Sequence, residues 1–116
     1  MDSAAFAIPV LPGRTELDRI ELGSCWVGAR REAFQDARRR AGITREAVWI
    51  QTTPAGDLAV IYIEADDLTA ALALVATSAE PFDRWFRNHL REVHGAAWEH
   101  DLPGVELVLD YDIDRT

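Results

Sequence analysis

The apolar positions of this chain change period several times, and each change marks an element. Residues 4–11, AAFAIPVL, form a short apolar run closed by Pro12-Gly13 and predict a first strand. Pro9 makes part of that strand an edge or an irregular stretch, because proline cannot donate to a ladder. Residues 15–41 follow a helical period, with Gly23-Ser24 as the place for a kink. Arg38, Arg39 and Arg40 followed by Gly42 have the form of a helix C-terminus. Two β-rich runs, EAVWIQTT (46–53) and LAVIYIEA (58–65), flank PAGD and predict a hairpin. Its expected register sets Thr53 opposite Leu58, Gln51 opposite Val60, Trp49 opposite Tyr62 and Ala47 opposite Glu64. The period of two then gives an aliphatic face with Val48, Ile50, Ile61 and Ile63, and a mixed face with Trp49, Gln51, Tyr62 and Glu64. Asp66-Asp67 caps a helix over LTAALALVATS, and Pro81 starts another that runs to Gly95. After a loop with Trp98, His100 and Pro103-Gly104, VELVLDYDI (105–113) is the expected last strand. It places Val105, Leu107, Leu109, Tyr111 and Ile113 on one side, and Glu106, Asp110 and Asp112 on the other with Val108.

The predicted order is β-α-β-β-α-β, with the second helical segment broken in two. This is a ferredoxin-like α+β arrangement: an antiparallel sheet with helices on one face, forming a single domain over residues 1–116. Helices on one face leave the other uncovered. A homodimer burying sheet against sheet, a dimeric α/β barrel, is the economical solution.

Three stretches carry a resemblance: PVLPGRTEL, TPAGDLAVIYIE and PFDRWFRNHLREVHG. With them the chain resembles the dimeric α/β-barrel superfamily, which includes cofactor-free antibiotic-biosynthesis-type monooxygenases, heme-degrading relatives and stress-responsive barrel proteins. More narrowly, it is similar to a bacterial branch of unassigned activity that shares GITRE, TPxGD and PFDRWFR. The resemblance implies the fold over nearly the whole chain. It is compatible with a small-molecule-binding barrel protein, including a cofactor-independent oxygenase or isomerase.

Two polar residues stand out against apolar helical faces. At 100° per residue, Leu22, Trp26, Ala29, Ala33, Phe34, Ala37 and Ala41 share one side of the first helical segment, and Arg30 falls among them. Arg38 falls at the edge or outside. In WFRNHL, His89 falls within the arc of Phe82, Trp85, Phe86 and Val93, whereas His94 falls outside it in the last turn. A buried ion without a partner costs several kcal/mol and an unpaired neutral donor roughly 1–3 kcal/mol, so Arg30 and His89 need partners. The mixed sheet face supplies them if it lies under the helices. The pocket expected on that basis has Arg30, His89, Tyr62 and Glu64 as its polar, catalytic groups. Trp26, Trp49, Gln51, Trp85 and Phe86 would be its substrate-binding walls. Arg30 would hold an anionic group of an aromatic, acidic substrate, and His89 would serve as base or donor. The competing expectation is a satisfied core, with Arg30 paired to Glu64 and His89 bonded to Tyr62 or a backbone carbonyl, in a non-catalytic dimerising or partner-binding module. If the helices cover the aliphatic face instead, Trp49, Gln51, Tyr62 and Glu64 line the dimer interior.

Composition narrows the function classes. The chain has 116 residues and a net charge of −8, which disfavours phosphate-backbone binding and so a nucleic-acid partner. All its basic residues are arginine, so no lysine Schiff base is available. The single cysteine, Cys25, permits neither an internal disulfide nor a cysteine zinc site and suits a cytoplasmic setting. The first residues lack a basic, long apolar leader, and no stretch approaches a membrane span, so no membrane partner is expected. DYDID lacks the glycine and late glutamate of a calcium loop. His89 and His94 lie about 140° apart around a helix, a poor metal spacing. No cofactor and no metal are expected.

Overall fold

The computed structural model describes residues 1–95 and 104–115. Its elements are β1 (Asp2–Pro9), α1 (Thr15–Val27), α2 (Arg31–Ala41), β2 (Ile43–Thr53), β3 (Gly56–Ala65), α3 (Leu68–Thr77) and α4 (Pro81–His94), followed by a 3-10 turn at Ile113–Arg115. The three strands form one antiparallel sheet in the order β1-β3-β2. The fold is therefore α+β. Among the described residues no helix is long and apolar enough to cross a membrane.

The helices cover the aliphatic face of the sheet. Ile63 and Ala65 of β3 are buried there against Ala71 and Val75 of α3 and Phe86 of α4, and Ala59 is buried against Val93 of α4 and Val10. Alternation along β3 places Leu58, Val60, Tyr62 and Glu64 on the opposite, uncovered face. The hairpin register differs from the expected one by two residues: Thr53 pairs with Gly56, Gln51 with Leu58, Trp49 with Val60 and Ala47 with Tyr62. The loop is Pro54-Ala55. Thr53 Oγ1 accepts from the Ala55 amide and donates to the Gly56 carbonyl, and Gly56 takes a φ of 128° that favours glycine. A shift of two keeps every side chain on its predicted face.

The long helical segment divides at Gly28–Arg30, not at Gly23-Ser24, because Gly28 turns extended (φ −145°, ψ −160°) and ends α1. The helical phase restarts at Arg31, so a wheel carried from Trp26 to Phe34 assigns the wrong faces. Trp26 is 78 % exposed, and Arg38 is the buried arginine of α2. Gly42, in left-handed backbone at φ 74°, ends α2 as its position after three arginines predicts. The Asp67 carboxylate caps α3 at the Ala70 amide, 3.1 Å away. The Arg87 guanidinium of α4 donates to the carbonyls of Val75 and Ser78, 2.8 and 2.6 Å away, and ties off the other end of α3.

The expected last strand does not form. Residues 104–112 carry no regular structure, and Leu107, Leu109 and Tyr111 are each more than 70 % exposed. A strand needs a neighbour, and the segment pairs with none among the described residues. Among the described residues there are three strands, so the expected β-α-β-β-α-β order lacks its last strand. Trp98 and His100 lie outside the described residues.

Candidate functional site

α1 presents Asp18, Leu22 and Cys25 at i, i+4 and i+7 on its buried side, with Glu21 one position around. α4 packs His89 against that side. The imidazole is held between two carboxylates: Nε2 lies 2.8 Å from Asp18 Oδ1, and Nδ1 lies 3.1 Å from Glu21 Oε1. Trp85 stacks on the ring at 5.7 Å, and Phe86 lies 6.0 Å from it. Burial by itself lowers the His89 pKa, but the hydrogen bonds to Asp18 and Glu21 and their charges outweigh it, and the net shift is upward. A protonated imidazole donates from both nitrogens and satisfies one oxygen of each carboxylate. Asp18 Oδ2 is left buried without a partner.

A second buried charge lies on α2. Arg38 donates from Nε to Glu46 Oε1 at 2.6 Å and from Nη2 to Oε2 at 3.4 Å, and its guanidinium lies over Phe34 and Phe86. Glu46 is on the helix-facing side of β2, opposite Ile63. The pair is nearly dry, with side chains 7 % and 11 % exposed. Arg38 Nη1 is buried and unpartnered. Such orphans are uncommon and call for an account.

Asp18 and Arg38 both line a cavity of about 130 Å³ between the helices and the aliphatic sheet face. Its walls include Ile61, Ile63, Leu72, Val75, Phe86 and Leu90, and Glu46 and His94 complete its polar lining. His94 is buried, with Nδ1 2.9 Å from the Pro9 carbonyl, so it pins α4 to the end of β1. Its predicted place outside the apolar arc is corrected by this strand contact.

The expected pocket is not assembled. Tyr62 and Glu64 lie on the uncovered sheet face, where the Tyr62 hydroxyl donates to the Glu64 carboxylate; that bond, ahead of burial, raises the Tyr62 pKa. Trp49, 56 % exposed, and Gln51 share that face. Arg30 meets neither Glu64 nor His89: it precedes α2, donates to Ser24 Oγ at 3.0 Å and lies 4.0 Å over the Trp85 ring. Trp85 thus links Arg30 to His89 by stacking. Neither residue lines the cavity; of the predicted site residues, only Phe86 does. Both ring nitrogens of His89 are bonded to carboxylates, so none is free to act as a base, whereas the expected donor role fits this geometry.

Three of the residues that matter here left signals in the sequence. Asp18 sits in the Asp18-Leu22-Cys25 stripe, Glu46 shares strand parity with Val48 and Ile50, and Arg38 joins Phe34, Ala37 and Ala41 once the phase is reset. Cys25 is buried, and burial raises its thiol pKa, so it behaves as a small hydrophobe. No protein-family model, curated protein or solved structure matches this chain.

Proposed function

We propose that the protein binds a small, neutral, largely apolar molecule in the cavity between its helices and its sheet. The observation that carries this reading is the pairing of an aliphatic void with two buried orphan atoms on its lining residues, the donor Arg38 Nη1 and the acceptor Asp18 Oδ2. An engineered apolar cavity of about 150 Å³ admits benzene, so the volume suits a ligand on the order of six to eight non-hydrogen atoms. Glu46 already offsets the Arg38 charge and Asp18 adds another carboxylate, so the lining disfavours an anion. The acidic substrate anticipated from Arg30 therefore gives way to one with a hydroxyl or carbonyl. In this reading His89 orients Asp18, and Asp18 Oδ2 is the proton acceptor for any isomerase- or oxygenase-type chemistry. Calorimetric titration with para-cresol tests the reading: saturable binding that Ala76→Leu at the cavity rim weakens tenfold or more supports it, and no binding at millimolar ligand refutes it.

A second reading is favoured by the uncovered sheet face. Ala5, Ala7, Ala47, Trp49, Val60 and Tyr62 share it, and an exposed tryptophan on an aliphatic sheet suits a homodimer burying sheet against sheet. The two readings are compatible, since the cavity and the dimer face lie on opposite sides of the sheet. Trp49→Asp separates them: it abolishes dimerisation and leaves para-cresol binding intact.

A further inference from the structure

Two features of the molecule are incomplete in complementary ways. Strand β1 is hydrogen-bonded only to β3, so one of its edges is open among the described residues. The segment 105–113 has a strand's alternation apart from Val108, and residues 104–112 join no strand among the described residues. Val105, Leu107, Leu109, Tyr111 and Ile113 are 51 %, 74 %, 83 %, 72 % and 73 % exposed. An edge that must stay unpaired carries charge, proline or a bulge in its middle. β2, the other edge, has such devices: Arg45, Glu46 and an irregularity between Ile43 and Arg45. β1 has none between Ser3 and Ile8; its sequence there is SAAFAI, with Pro9 only at the end. β1 is also nearly as long as this segment, eight residues against the nine of 105–113.

We infer that residues 105–113 of one copy add as a fourth strand to the open edge of β1 in a second copy, and that the exchange is reciprocal. This deepens the dimer reading by naming the segment that joins the copies, and it does not depend on the cavity. Among the described residues, the apolar row stays exposed while the β1 edge stays open. A second copy satisfies both at once. Strand addition makes the main-chain bonds, and the five apolar side chains dock along one face of the partner's sheet. Glu106, Asp110 and Asp112 remain on the other side of the added strand. Five side chains from each copy bury on the order of 1,000 Å² in all, the lower limit for a specific interface. The exchange is isologous and closes as a two-fold dimer, which avoids fibre growth from an open edge.

The test uses the full chain and its Leu107→Asp/Leu109→Asp variant, whose substituted positions are exposed in the single chain and so do not disturb its fold. Light scattering coupled to size exclusion gives mass, and amide hydrogen exchange gives strand pairing. The expected result is a dimer for the full chain and a monomer for the variant. Amides of β1 and of 105–113 should exchange at least tenfold faster in the variant. Dimers in both proteins overturn the strand exchange while leaving a sheet-to-sheet dimer standing. Monomers in both overturn the dimer reading as well. A mass change without any change in β1 exchange shows that the segment docks elsewhere and also overturns the inference.

Discussion

The layer between helices and sheet is built in two ways on either side of Phe86. Around His89 it is filled: both nitrogens are bonded to carboxylates 2.8 and 3.1 Å away, and Trp85 and Phe86 close over the ring. Around Arg38 it is hollow, for the guanidinium keeps one nitrogen unpartnered and lines an aliphatic cavity of about 130 Å³. Both are buried ion clusters, yet they do different things. The first holds α1 to α4 and fixes the orientation of Asp18. The second holds α2 to β2 and leaves one guanidinium nitrogen without a partner on a residue that lines the cavity. Asp18 belongs to the first and lines the same cavity as Arg38, with one oxygen on His89 and the other unpartnered. The difference teaches that an inward histidine is poor evidence for a pocket, whereas an inward charge with an unused atom beside an apolar void is better evidence.

The strongest way to break this contrast is His89→Leu. It leaves Asp18 and Glu21 without their shared cation, and breaking a buried pair of this kind costs about 3–5 kcal/mol. Urea denaturation of the variant measures it. A loss within about 0.5 kcal/mol would show that the cluster is a surface-like pair. The loss at Arg38→Met should be of the same kind, because Glu46 is left nearly dry and unpaired, and it should also remove ligand affinity, which His89→Leu does only through unfolding.

A cavity-filling substitution sharpens the other side. Ala76→Leu adds apolar atoms at the cavity rim and should raise stability by ~1 kcal/mol, while weakening ligand binding. Destabilisation by a similar amount would mean that the space is already full.

The His89 cluster also predicts a pH dependence. The folded-state pKa of His89 is raised, so its stabilising contribution is complete below the unfolded value near 6.5 and is lost as pH rises through the folded value. Thermal unfolding scans from pH 5 upward should show that decline in the wild type and a flatter profile in His89→Gln. The smallest effect belongs to Tyr62→Phe, on the uncovered sheet face, which should change stability by less than about 0.5 kcal/mol and leave ligand binding alone.

The fold was legible where local rules act alone. The Asp67 cap, the Pro81 start, the Gly42 stop and the two faces of the hairpin all follow from residues within one or two turns of the position concerned. The site was much less so, for three physical reasons. Gly28 resets the helical phase, which exchanged Arg30 for Arg38 and put Trp26 into solvent. Which sheet face the helices cover depends on tertiary packing, and that choice removed Tyr62, Glu64, Trp49 and Gln51 from the interior. The last strand alternates except at Val108 but has no neighbour among the described residues, and alternation cannot specify where a strand's partner is. His89 was correctly placed inside, but its partners lie on α1, roughly seventy residues away, and no periodicity reports that.

The account turns on whether the space beside Arg38 and Asp18 takes a ligand. A methyl- and amide-resolved NMR titration with para-cresol addresses it directly. The predicted result is saturable shifts centred on Ile61, Ile63, Leu72, Val75 and Leu90, with a moved Arg38 side-chain signal and silence at Trp49 and Tyr62. Shifts confined to the uncovered sheet face, or none at millimolar ligand, would contradict it.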